Sequence, residues 1–166
     1  LVAGGETRQQ SVANGLAVLP SCHLALIHDA ARPFVDAELI DRVLQVAALG
    51  VCAVPGVPLA DTVKETDTAG LVVRTVPRER LVAVQTPQAF PRQMLETAHQ
   101  RARTDASLAA TDDAALCERL GYPVRVVPGS GRNIKVTTAD DFVIAEALAR
   151  EDGKTAGRQD GKGVPL

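Results

Sequence analysis

Ile27-His28-Asp29-Ala30-Ala31-Arg32-Pro33-Phe34 sets a carboxylate and a guanidinium close behind the apolar run Leu24-Ala25-Leu26-Ile27. Such a run reads as a buried strand, and Pro33 prevents a helix from starting directly behind it, so Asp29 and Arg32 fall on a loop at the strand's carboxyl end. In open α/β sheets ligands bind there, a carboxylate meeting a cation and a guanidinium forking onto phosphate. Taken alone, the same residues also fit a helix-capping Asp beside a surface Arg. Three further groups lie at element ends: Asp61-Thr62 behind a Pro-rich strand exit, Thr86-Pro87-Gln88 behind Val84, and Lys135 behind Gly129-Ser130-Gly131. Singly they read as a strand-to-helix turn or a solvated edge charge. Together, Arg32, Arg78, Lys135 and the hydroxyls of Thr62, Thr86 and Thr111 make a donor set suited to a phosphorylated substrate, with no obvious nucleophile among them. The histidines, His23, His28 and His99, form neither a His-x-x-x-His pair nor a Ser/His/Asp order, which speaks against zinc and covalent mechanisms. His28 reads as a hydrogen-bonding partner at the sheet edge.

Those loops need elements to hold them. Thr7-Arg8-Gln9-Gln10 fits a capping box, and Val12, Leu16 and Leu19 repeat at helical spacing until Pro20, which predicts a first helix. Leu24 to His28 predicts a strand, Asp36 the cap of a helix with the apolar face Leu39, Ile40, Val43, Leu44 and Ala47, and Gly50 its stop. Val51-Cys52-Ala53-Val54 reads as another buried strand. Strands alternating with helices imply an α/β fold with a mostly parallel sheet and right-handed crossovers. The pattern breaks between Pro58 and Val84, where Thr62 to Thr66 and Leu71 to Val76 flank the turn Asp67-Thr68-Ala69-Gly70. That protruding β-hairpin, the arm 58–84, has few core contacts of its own and is expected to lean on a second subunit. Leu81 to Val84 returns to the sheet, and a helix runs from near Pro91 to about Arg103. Thr111 is expected to cap the next helix, with Asp112 and Asp113 in its first turn and Gly121 at its end. Val124 to Val127 and Asn133 to Val136 read as strands, and Thr138 with Asp141 as a capping box opening a last helix through Arg150. This divides the chain into one domain, 1–151, and a flexible tail or linker, 152–166.

Composition bounds the partners. The 166 residues are 46% hydrophobic, enough for one packed domain. A net charge of −2 and 2% aromatics leave no basic stripe or stacking set for nucleic acid. No apolar stretch approaches the ~20 residues of a membrane span. Cys22, Cys52 and Cys117 are far apart in sequence and read as buried thiols of a reducing compartment, so the expected location is cytoplasmic.

Gly4-Gly5-Glu6 with Arg8 and Ser11, His28-Asp29-Ala30-Ala31-Arg32-Pro33, Asp61-Thr62-Val63-Lys64, Thr86-Pro87-Gln88-Ala89-Phe90, Thr111-Asp112-Asp113-Ala114 and Asn133-Ile134-Lys135-Val136-Thr137 follow one another along the chain. In this order and spacing, residues 1 to about 149 resemble the 2-C-methyl-D-erythritol 4-phosphate cytidylyltransferases of non-mevalonate isoprenoid synthesis. The resemblance implies a Rossmann-like fold of the nucleotide-diphospho-sugar transferase type, a homodimer held through the arm, and cytidylyl transfer from CTP with Mg²⁺ as cofactor. It implies nucleotide contacts from Gly5, Glu6 and Ser11. Asp29, Ala30 and Arg32 would lie near the sugar phosphate and the metal-bound triphosphate, with Asp29 the candidate metal ligand. Thr62, Thr111 and Lys135 would hold the acceptor, and Arg78 and Thr86 would reach it from the partner's arm, Arg78 and Lys135 orienting its phosphate. Ribitol or glycerol phosphate as acceptor, and a catalytically dead fragment that only dimerises, are the alternatives. The family's opening strand and glycine-rich triphosphate loop have no counterpart after Leu1, and Glu6 stands where the family often has Asp. If these residues were the whole polypeptide, weak CTP binding and negligible turnover would be expected. Some family members are fused to the pathway's following cyclase.

Overall fold

The computed structural model describes the backbone of residues 1–105 and 110–159 and the side chains of 1–105 and 110–152. Its elements are α1 (Arg8–Val18), β1 (Leu24–Ile27), α2 (Ala37–Ala47), β2 (Cys52–Pro58), β3 (Val63–Thr66), β4 (Val72–Val76), β5 (Val82–Val84), β6 (Gln88–Pro91), α3 (Arg92–Thr104), α4 (Asp113–Arg119), β7 (Val124–Pro128) and α5 (Ala139–Gln159).

Helix starts follow local capping chemistry, because a cap's partner is never more than a turn away. Thr7 accepts the Gln10 N–H at 3.1 Å, while Gln10 Oε1 takes the Glu6 N–H at 2.8 Å, one residue before the box would place it. Asp36 accepts from Leu39 N at 2.7 Å, and Asp141 Oδ2 accepts from Thr138 N at 2.8 Å. On α4 the cap is Asp112, which accepts from Ala115 N at 2.9 Å, and not Thr111. Helix α5 runs on to Gln159, past the start of the expected tail, since Lys, Arg and Gln continue a helix readily even without an apolar stripe. Residues 160–166 of that tail lie outside the described residues.

The main sheet is mixed. Strands β1, β2 and β7 share one direction, β2 and β7 as parallel neighbours, while β6 lies antiparallel between β1 and β2. One edge of β2 is filled by β7, and the other changes partner midway: Ala53 faces Ala89 of β6, and Gly56 to Pro58 face Val84 to Val82 of β5. The strand-to-helix turn expected at Thr86-Pro87-Gln88 is therefore a strand entry into β6, with the Thr86–Pro87 peptide cis. Only Ala89 and Phe90 are apolar there, too short a run to signal a strand. The expected strand Asn133 to Val136 is a loop held by side chains.

Alternate residues feed two cores, as the pleat requires. Cys52, Val54 and Phe90 pack with Leu16, Leu95, Ala98 and Leu116 beneath α1, α3 and α4, while Ala53 and Ala89 face Val43 and Ala47 of α2. Helices thus cover both faces. Cys52 and Cys117 are buried as expected, but Cys22 is exposed because it lies in the loop entering β1 rather than on an element. Strands β3 and β4 form a separate two-stranded sheet whose turn is tied by Asp67 Oδ1 to Ala69 N and Leu71 N, both at 2.9 Å. Leu71, Val72 and Val73 stand exposed on this arm.

Candidate active site

The loop behind β1 is a turn closed by Arg32 N–H to Asp29 O at 2.9 Å. Three groups brace it. His28 Nε2 lies 3.0 Å from the Arg32 carbonyl, which only accepts, so the proton sits on Nε2. Nδ1 lies 3.1 Å from the Thr86 hydroxyl, and Thr86 Oγ1 accepts the Asp29 N–H at 3.0 Å. Thr86, 5% exposed, thereby sits in the site of its own chain, whereas the resemblance assigns it to a partner's arm. It follows β5 and leads straight into the central β6, which fixes it beneath the loop.

A second loop, 129–136, crosses from β7. Gln85 clamps it, donating to Ser130 O at 2.8 Å and accepting from Ser130 N at 3.1 Å. Asn133, fully buried, donates to Thr86 O at 2.8 Å, and its carbonyl accepts from Arg32 Nη1 at 2.7 Å. These bonds aim Lys135 at Asp29, Nζ to Oδ2 3.0 Å. Arg8 at the start of α1 approaches Oδ1 at 3.4 Å. Burial works to raise the pKa of Asp29, but Lys135 and Arg8 outweigh it and hold the carboxyl below its usual range. Burial also draws Arg32 below the usual arginine value against the pull of Asp29, and its buried Nε has no partner among the described residues.

Arg8, Asp29, Arg32, Thr86, Thr111 and Lys135 share a cavity of about 300 Å³. The fold brings these candidates together from β1, the turn before β6, the α4 entry and the 129–136 loop. Gln85, Gln88 and Asp112 line it too. Sequence reasoning gave no role to Arg8, Gln85 or Asn133; polar side chains flanking Thr86 and Lys135 were the available signal. Other candidates lie elsewhere. Thr62 and Arg78 are exposed on the arm, where Arg78 Nη1 bonds the Ala60 carbonyl, and neither lines the cavity. Ala30 is exposed at the turn. Gly5 borders a separate cavity of about 620 Å³ with Thr7, Gln10, Asn14 and His99, and Ser11 accepts the Gly5 N–H at 3.0 Å. A Cβ on Gly5 would come within 2.3 Å of Gln10 Cβ, so the backbone approach there requires glycine. Glu6 is exposed. Among the described residues no group of three or more His, Cys, Asp and Glu could hold a metal, and no helix is long and apolar enough to cross a membrane.

A model of the family "IspD: 2-C-methyl-D-erythritol 4-phosphate cytidylyltransferase" matches residues 1–151. This chain belongs to that family. Among IspD relatives, the bifunctional enzyme IspD/IspF of Nitratidesulfovibrio vulgaris (strain DP4) is 55% identical over 149 residues, 89% of this chain and 37% of the relative. The 2-C-methyl-D-erythritol 4-phosphate cytidylyltransferase of Syntrophus aciditrophicus is 47% identical over 156 residues, 93% of this chain and 66% of its own length. The crystal structure of the IspD enzyme from Thermus thermophilus superposes with a TM-score of 0.81 at 47% identity, covering 89% of this chain and 71% of that one. The chain thus spans 37% of the bifunctional relative and about two thirds of the Syntrophus IspD enzyme. The α/β fold with helices on both faces of a mixed sheet is the IspD fold.

Proposed function

We propose that this chain carries the acceptor-side machinery for cytidylyl transfer from CTP to 2-C-methyl-D-erythritol 4-phosphate. The observation that carries the reading is the convergence of Lys135, Arg8 and Arg32 on one cavity around Asp29 in a chain of the IspD family. An oxygen of the acceptor phosphate attacks the α-phosphorus of CTP; the new P–O bond forms as the bond to the β-phosphate oxygen breaks, and pyrophosphate leaves. Nothing covalent is asked of the protein, in keeping with a cavity lined by donors. Lys135 offers a mobile point charge to the acceptor phosphate, and Arg32 a guanidinium with an unused Nε donor. Thr111, exposed at the cavity rim, supplies a hydroxyl.

Mg²⁺ is held through one or two carboxylates together with substrate phosphates, so a cavity lined by Asp29 and Asp112 fits an ion delivered with the triphosphate. Bound there, it would spread the charge developing on pyrophosphate. Gly5, which borders the larger cavity, would take the cytosine and ribose together with Glu6 and Ser11. The exposed apolar arm supports a homodimer in which Thr62 and Arg78 of the arm serve a partner's site, and a cytoplasmic location suits the buried thiols. The Syntrophus and Thermus relatives are named for methylerythritol phosphate, and ribitol or glycerol phosphate gains no support from them.

The test is pyrophosphate release with CTP, Mg²⁺ and each of the three polyol phosphates, with the family's opening strand and glycine-rich loop joined ahead of Leu1. Turnover is expected with methylerythritol phosphate; absence of turnover, or preference for another polyol phosphate, rejects the reading. Removal of the arm 58–84 should convert dimers to monomers by light scattering, and persistence of the dimer rejects the arm's role.

A further inference from the structure

Asp113 is a buried charge that the transfer chemistry does not use. Its side chain is 1% exposed and both oxygens are taken: Oδ2 accepts from Arg8 Nη1 at 2.7 Å, Oδ1 from His99 Nε2 at 2.8 Å. A carboxylate has no proton to give, so His99 carries one on Nε2. His99 lies on α3, its side chain 5% exposed, and closes the back of the pair. Burying a charge is costly unless it is paired, so Asp113 is a fixed anchor. Arg8, in contrast, is 37% exposed and only 3.4 Å from Asp29 through Nε. Its fork spans the two carboxylates, and the short leg is the one to Asp113.

We propose that the His99–Asp113 pair positions Arg8, and through it keeps Asp29 shared between Arg8 and Lys135. Shared in this way, Asp29 binds Lys135 less tightly, and Lys135 exchanges it for the incoming acceptor phosphate. Without the anchor Arg8 swings to solvent, Asp29 closes on Lys135 alone and competes with the phosphate. His99 and Asp113 are positioning residues, touching no reacting atom. The kinetic part of this inference rests on the acceptor reading above; the geometric part does not.

The variants are His99→Leu, His99→Gln, which keeps a donor at the Nε2 position, and Asp113→Asn. Each is read by acceptor KM and kcat from pyrophosphate release and by the Arg8 Nε–H signal in ¹H–¹⁵N NMR. His99→Leu and Asp113→Asn should raise the acceptor KM by about tenfold and should broaden the Arg8 signal. His99→Gln should restore both. Equal KM values for the Leu and Gln variants, or an Arg8 signal unmoved by His99→Leu, overturn the proposal. If the unsubstituted protein releases no pyrophosphate, the functional reading fails while the NMR comparison still decides the positioning. If Asp113→Asn does not fold, the two His99 variants decide it.

Discussion

Gly129 lies where β7 gives way to the loop that delivers Lys135, and alanine there should loosen the site from behind. A Cβ at this position would stand 2.7 Å from Gln85 Oε1, 3.0 Å from Val57 Cγ1 and 3.1 Å from the Gly56 carbonyl carbon. The Gly56 backbone cannot retreat, because β2 is paired with β5 on one edge and β7 on the other. Gln85 must therefore move. That breaks its bond from Ser130 N at 3.1 Å and strains its bond to Ser130 O at 2.8 Å. Two hydrogen bonds at about 1 kcal/mol each, together with the desolvated carboxamide, give a loss of about 2 to 4 kcal/mol. For a chain of this size that corresponds to a fall in Tm of roughly 5 to 15 °C. Gly131, two residues on, is the control: a Cβ there meets nothing within 4 Å, so Gly131→Ala should stay within about 0.5 kcal/mol of the parent. Urea unfolding of both variants is the assay. A Gly129→Ala protein as stable as the parent, or a Gly131→Ala protein equally damaged, would refute the argument that Gln85 clamps this loop.

Gly15 faces open space inside α1, so Gly15→Ala should raise stability by about 0.5 to 1 kcal/mol in the same unfolding assay, and a loss would contradict the packing described. Phe90→Ala should cost about 3 to 5 kcal/mol, since the ring is fully buried in the core beneath α1, α3 and α4. Asp141 accepts the Thr137 and Thr138 N–H groups, which draw its carboxyl down to about 2. Its folded-state pKa lies below the ordinary value, so its contribution is present above the unfolded pKa and is lost as pH falls through the folded one. The stability difference between the parent and Asp141→Asn should accordingly shrink between about pH 4 and about pH 2, and a difference constant across that window would count against the cap.

The sequence by itself determined the pieces whose partners are close along the chain. The Thr7, Asp36 and Thr138–Asp141 helix starts, the Asp67 turn and the apolar face of α2 all formed as their spacing required, because a cap or turn closes within a few residues. The Asp29 loop was legible for the same reason: an apolar run ends, and a proline forbids a helix. Tertiary structure decided what those pieces became. Strand β6 exists because β1 and β2 offer it two open edges, while its own four residues carry hardly any signal. Thr86, assigned by resemblance to a partner's arm, lies under its own chain's Asp29 through a bond spanning 57 positions. Arg8 meets Asp113 across 105 positions, and Arg32 meets Asn133 across 101. No local pattern encodes pairings of that length. They arise only when the sheet closes and most buried polar groups find partners, which is also why Asn133 and Asp113 became visible as parts of the site only in the fold.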